Sequence, residues 1–134
     1  MNASDWTLFM APGAQLSDLY DAAPALSSCD LFYVHIDERE DSVTLGFSTR
    51  QLPSNPPPEW QERDYNTVEF YLVFASVEGL LVKGWGPPPR KEVKISSQEE
   101  GRIAVSIGPD GSRMEFRASS MTLAHTRRYL AAHD

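Results

Sequence analysis

A mainly β (α+β) fold is what this sequence predicts: an antiparallel meander of about seven strands, closed into a sandwich or half-barrel, with a short helix at each end. Three observations predict it. From Leu31 onward apolar residues recur at every second position, the period of a half-buried strand. The apolar runs are joined mostly by short stretches rich in turn residues, as antiparallel neighbours require. No strand-helix-strand alternation occurs, which sets aside Rossmann-like and flavodoxin-like architectures. At 134 residues the chain is expected to form one domain, 1–134.

The elements follow in order. Trp6, Leu8 and Phe9 are too apolar for a free tail and predict a short extended piece tacked onto the body. In "AQLSDLYDAA", Leu16, Leu19, Tyr20 and Ala23 fall at i, i+3, i+4 and i+7, one face of a helix that Pro24 stops. "LFYVHID" then places Phe32, Val34 and Ile36 on one face and Tyr33, His35 and Asp37 on the other; "SVTLGFST" sets Val43, Leu45 and Phe47 against Thr44, Gly46 and Ser48. The charged "EREDS" between them predicts a hairpin with one buried and one wet face.

A proline-rich loop from Arg50 to Tyr65 separates this hairpin from the most apolar part of the chain. There Val68, Phe70, Leu72 and Phe74 alternate with Thr67, Glu69, Tyr71 and Val73; after a break at Ser76 to Gly79, Leu80 and Val82 resume the pattern. The expected structure is a second hairpin, Asn66 to Trp85, at the centre of the sheet. Three more strands follow: "KEVKIS", "RIAVSIG" and "SRMEFRA", the last two joined by Gly108-Pro109-Asp110-Gly111, a strong turn signal. The end, "TLAHTRRYLAAH", holds good helix formers, with Arg127 and Arg128 late enough to favour the negative end of a helix dipole, so a short C-terminal helix is expected.

Composition excludes several classes of function. The chain carries 19 acidic and 12 basic residues, a net charge of −7. That is the opposite of the basic footprint that nucleic acid requires, whereas an acidic surface can attract a basic protein. No basic leader and no apolar run of about 20 residues occurs, so a cytoplasmic protein without a membrane anchor is expected. The single cysteine, Cys29, offers no disulfide or thiol-pair chemistry and is read as a packing residue.

Residues for catalysis are sparse. His35, His125 and His133 lie in no metal-binding spacing, and no serine sits in a G-x-S-x-G elbow. His35 and Asp37, two apart on one strand face, are the sole acid-base candidates, against a plain surface pair. "GWGPPPR" lacks the lysine, the third glycine and the following helix of a phosphate loop, and its prolines remove N–H donors. "DEREDS", Asp37 to Ser42, lacks the glycine and the closing glutamate of a calcium loop. It reads as a solvated hairpin tip or as an acidic contact patch. Neither an enzyme nor a cofactor or metal site is expected.

The proline segments "LPSNPPPEW" and "GWGPPPR" admit two readings: ligands for a proline-recognising domain, or stiff corners of the fold. Each triple proline lies within two residues of a tryptophan, Trp60 or Trp85, whose burial is strongly favourable. The structural reading is therefore preferred, with the prolines reducing the entropy lost on ordering the loops.

Taken together, the run from Val43 to Gly86 resembles the immunity protein 50 family of bacterial polymorphic toxin systems. The resemblance rests on a strand ending in an aromatic, "PPEW", "NTV" opening a long strand, "F-x-x-V-x-x-L" across the next turn, and the closing "GWG", together with "LSDLYDAAPAL" upstream. It extends over residues 16 to 118, and departs from the family's pattern at Pro87 to Pro89. It implies a small β-rich cytoplasmic protein, monomer or homodimer, that binds and blocks a cognate toxin domain; it supplies no catalytic residues. The acidity of the chain would suit a basic toxin such as a nuclease. On that implication the candidate contacts are Asp37, Glu38, Glu40 and Asp41, with Glu59 and Arg90 from the proline loops. The alternative is a small-ligand or carbohydrate-binding β module in which Trp60, Tyr65 and Trp85 form an aromatic platform.

Overall fold

The structure, a computed structural model, describes residues 5–10, 18–86, 92–108 and 112–130. Among the described residues eight strands run in the order β1 (Asp30–Asp37), β2 (Ser42–Thr49), β3 (Thr67–Ala75), β4 (Glu78–Lys83), β5 (Glu92–Ser97), β6 (Ile103–Gly108), β7 (Arg113–Ala118) and β8 (Ser120–Tyr129). They form two four-stranded sheets, ordered β1-β2-β3-β8 and β4-β7-β6-β5, with every pairing antiparallel. Seven of the eight are the strands that the period-two pattern predicts.

The two sheets share one bent ribbon. β3 pairs with β8 up to Ala75 opposite Ser120, and the chains then turn together so that β4 pairs with β7 from Glu78 opposite Arg117. Ser76, at φ 53°, and Gly79, at φ 64°, make the corner on one strand of the ribbon; Ser119 makes it on the other, its N–H donating to the Ala75 carbonyl at 2.9 Å. The break at Ser76 to Gly79 is thus a passage between sheets. The expected Asn66 to Trp85 hairpin does not form: β3 lies inside the first sheet, while β4 is an edge of the second and exposed along its length. A two-residue link reads as a hairpin in sequence; here the Val77 N–H is taken by the Asp41 carbonyl at 2.8 Å, which carries the chain over the β1–β2 turn instead.

The inner faces meet in one core. Val43, Leu45 and Phe47 of β2, and Val68, Phe70, Leu72 and Phe74 of β3, are fully buried against Ile103, Val105 and Ile107 of β6 and Met114 and Phe116 of β7. Phe74 meets Phe116 edge to face across the sheets, with centroids 5.3 Å apart. Each such aromatic side chain contributes on the order of 2–3 kcal/mol by burial.

Among the described residues the helical elements are 3-10 turns, at Asp5–Phe9, Leu26–Ser28, Pro58–Glu62 and Glu99–Gly101. The piece carrying Trp6 is therefore one of these turns and not extended: Trp6 stacks on Phe70 at 5.8 Å and donates its indole N–H to the Pro24 carbonyl at 3.0 Å. Of the predicted N-terminal helix, residues 14–17 lie outside the described residues; beyond Asp18 the chain runs as turn and bend, with Leu19 and Tyr20 buried in the core. The predicted C-terminal helix is corrected to a strand. Residues 120–129 pair along the whole of β3, because an open side of the most apolar strand gives them more than a helix of their own would. The turn at 109–111 and the segment 87–91, including Arg90, lie outside the described residues. Among the described residues no helix is long and apolar enough to cross a membrane.

Two β-bulges interrupt the first sheet. In β1, Leu31 faces Phe47 and Tyr33 faces Gly46, so Phe32 is an extra residue; in β8, His125 faces Tyr71 and Leu123 faces Leu72, so Ala124 is one. The bulge in β1 breaks the alternation expected for "LFYVHID" at Phe32, which leaves the face expected to hold Val34, while Tyr33 and His35 keep their expected outward side. Leu31 and Val34 turn towards the core, while Phe32, Tyr33 and His35 are exposed.

Candidate functional site

The hairpin tip between β1 and β2 brings four of the expected contact residues together. Asp37 ends β1 and bends its side chain over the turn, where Oδ1 accepts the N–H groups of Arg39 at 3.0 Å and Glu40 at 3.2 Å. Glu38, Glu40 and Asp41 are exposed, and Asp41 closes the turn at φ 49°. Asp37 is therefore engaged in building the turn it belongs to, and Glu38, Glu40 and Asp41 are the acids that face outward. Asp37 points its carboxylate at backbone N–H groups, and His35 stacks on Tyr33, their rings 6.3 Å apart and 5° from parallel. The two make no acid-base couple.

Glu59 lies at the far end of the same sheet. It sits in the 3-10 turn Pro58–Glu62, beside the start of β3 and the end of β8, about 26 Å from the acidic tip by the rise of an eight-residue strand. Its carbonyl accepts Nη2 of Arg128 at 2.7 Å, while Nε of the same arginine donates to the Trp60 carbonyl at 3.0 Å. The structure does not bring Glu59 to the acids of the tip.

The proline loop is part of the fold. Trp60 is 8% exposed, edge to face with Tyr65, and lies under the Arg128 guanidinium at 5.9 Å. The loop is stapled to the segment before β1: Tyr20 donates its hydroxyl to the Gln51 carbonyl at 2.6 Å, Asn55 N–H donates to the Leu19 carbonyl at 2.8 Å, and Asp21 N–H donates to Ser54 Oγ at 3.1 Å. Burial first, and then the charges of Cys29 and Tyr65, push the Tyr20 hydroxyl well above its ordinary pKa of 10.0. Trp85 and Tyr65 also pack against the core, so the three rings Trp60, Tyr65 and Trp85 supply no open platform for a small ligand.

The outer face of the first sheet carries a group that the sequence reading did not single out. One row crosses all four strands: Tyr33 opposite Gly46, Gly46 opposite Tyr71, Tyr71 opposite His125. Tyr71 is its hub, stacked on His125 at 4.3 Å and edge to face with Tyr33 at 5.7 Å and Phe32 at 5.8 Å. Gly46 makes room for it, since a Cβ there would stand 2.9 Å from both Tyr33 Cβ and Tyr71 Cε2. Phe32 and Tyr33 remain 46% and 42% exposed. Beside this row Glu69 and Arg127 pair at 3.0 Å, and Asp30 lies exposed on β1 opposite Ser48. The Tyr71 hydroxyl is held above its ordinary range by burial first and by the Glu69 carboxylate next.

Signals for this face existed in the sequence. Tyr33 and Tyr71 occupy expected wet-face positions, and a glycine inside a strand pattern marks a close approach. His125 was out of reach while its segment read as helix. Among the described residues no group of three His, Cys, Asp or Glu side chains could hold a metal ion.

The family described as Immunity protein 50 matches residues 13–129, from before the first sheet to the end of β8. No curated protein and no solved structure matches the chain.

Proposed function

We propose that this chain, which belongs to the immunity protein 50 family, binds a cognate toxin domain and neutralises it by stoichiometric occlusion. Family membership is the observation that carries the reading. The physical character of the molecule supports it, because an inhibitor of this kind needs a rigid surface of complementary shape and charge and no active site. Two sheets locked by a shared ribbon provide the rigidity. The net charge of −7 favours a basic toxin, a nuclease being one chemistry that presents such a surface, and would accelerate its capture by steering. Glu38, Glu40 and Asp41 at the hairpin tip are contacts in this proposal, and Glu59, at the far end of the sheet, is not grouped with them.

The test is direct. The purified chain is titrated into the toxin domain encoded beside its gene, and the same pair is expressed together in a sensitive cell. A one-to-one complex and restored growth are expected; absence of binding together with unrelieved toxicity refutes the proposal.

A further inference from the structure

The two bulges of the first sheet fall at the same row, and each has the same effect. Without the extra residue at Phe32, regular alternation from Leu31 would turn Tyr33 into the core; without the extra residue at Ala124, alternation from Leu123 would turn His125 inward. The bulges therefore interrupt two ladders, one on each edge strand, and bring two further rings outward to join Tyr71. Folding gains little from this arrangement, since Phe32 and Tyr33 stay more than 40% exposed and what their side of the sheet covers is Gly46. A cluster of touching, half-exposed rings on a sheet face is instead the composition of an interface centre, where tyrosine and phenylalanine supply large area at low entropy cost.

The surroundings select the occupant. The rings lie on an open sheet face, which suits a macromolecular surface better than a small molecule needing a concave pocket. Their π faces attract a cation, and the exposed Asp30 borders them with a carboxylate on a chain of net charge −7, Glu69 being buried and held by Arg127. A guanidinium combines stacking on a ring with forked donation to a carboxylate, which an ammonium does less well.

We infer that the outer face of β1-β2-β3-β8, centred on Tyr33 and Tyr71, is the surface that seats the toxin, through an arginine or lysine side chain of the toxin laid on these rings. This deepens the function proposed above and rests on it.

The experiment measures affinity of the full chain for the toxin domain encoded beside its gene, comparing wild type with Tyr33→Ala, Tyr71→Ala, Tyr71→Phe and, on the second sheet, Leu81→Ala, each checked for a native thermal melt. Tyr33→Ala and Tyr71→Ala are expected to weaken binding about 30-fold or more, as central interface residues do. Tyr71→Phe, which keeps the ring, and Leu81→Ala are expected to bind within about threefold of wild type. Affinity is expected to fall as salt rises from about 0.05 to about 0.5 M. Wild-type binding that survives both alanine substitutions in folded protein overturns the inference and leaves the function standing, as does a complex indifferent to salt. Self-association that Tyr71→Ala abolishes while toxin binding persists also overturns it, in favour of a second copy on this face. Failure of wild type to bind at all removes both the inference and the function beneath it.

Discussion

The ring of Tyr71 lies across the backbone of Gly46, so that a Cβ on Gly46 would approach Tyr71 Cε2 to 2.9 Å and Tyr33 Cβ equally closely. Tyr71 could swing its ring aside, but Tyr33 Cβ is fixed to its strand by the pairing with Gly46. Gly46→Ala is therefore expected to destabilise the protein by about 1–3 kcal/mol, the range for overpacking. Urea denaturation measures it. Adding Tyr71→Ala should recover part of the loss and not all, because the Tyr33 contact remains; full recovery, or no loss in the single variant, would contradict this account.

Arg128 joins the last strand to the proline loop through two carbonyls and the face of Trp60. Arg128→Ala is expected to lower stability by about 1–2 kcal/mol. Arg128→Lys should recover less than half, because an ammonium cannot present the same fork. Hydrogen exchange would show faster opening in residues 58–66 for both variants, with the sheet amides little changed. Unaltered protection there would mean the loop is held by Trp60 burial alone.

Tyr20 gives a pH dependence with a definite sign. Its folded pKa is raised, so the neutral hydroxyl is the form that stabilises the fold; that contribution is complete while the unfolded tyrosine is also protonated, below about pH 10, and is lost as pH rises beyond it. Tyr20→Phe should cost about 1 kcal/mol near neutrality through the missing bond to the Gln51 carbonyl. Above pH 10 its stability should fall less steeply than that of wild type. Parallel curves through that range would show that Tyr20 ionisation is not what the alkaline limb reports.

The acidic tip separates into a structural residue and outward-facing ones. Asp37→Ala removes acceptors for two N–H groups and is expected to cost about 0.5–1.5 kcal/mol. Glu38→Lys with Glu40→Lys should change stability by no more than about 0.5 kcal/mol. In the proposed complex the same pair should slow association several-fold in stopped-flow measurements, more so at low salt, while leaving dissociation nearly unchanged. A pronounced effect on dissociation would place these glutamates in the buried centre of the contact.

The sequence made strands visible where side chains alternate and left pairing to be found in three dimensions. Val68, Phe70, Leu72 and Phe74 announce β3, and the polar-apolar runs announce β5 to β7. β8 was hidden because Leu123, Ala124 and the two arginines are good helix formers; its strand conformation is imposed by the length of β3 it completes. In sequence β4 reads as the partner of β3 because nothing local distinguishes a tight hairpin from a corner, and the deciding contact, Val77 N–H to the Asp41 carbonyl, joins residues far apart in the chain. The acids of the tip were legible as neighbours in sequence. The aromatic row was not, since its members come from four strands that only pairing brings together, and His125 faces outward through a bulge in a segment that reads as helix.

The shared ribbon also fixes when the molecule can begin to act. β3, in the middle of the first sheet, has β8 as one of its two partners, and Thr67 finds Tyr129 across nearly half the chain's length. Such long-range closure belongs to folds that mature in about milliseconds to seconds and that gain little from their early portions alone. A ribosome that has made β1 to β7 still carries an unfinished sheet, with one side of β3 open to stray pairing. The first sheet is therefore complete only once β8 has been made, and not gradually as β1 to β3 emerge. Under the proposed function, a supply made ahead of the toxin would count for more than a fast one.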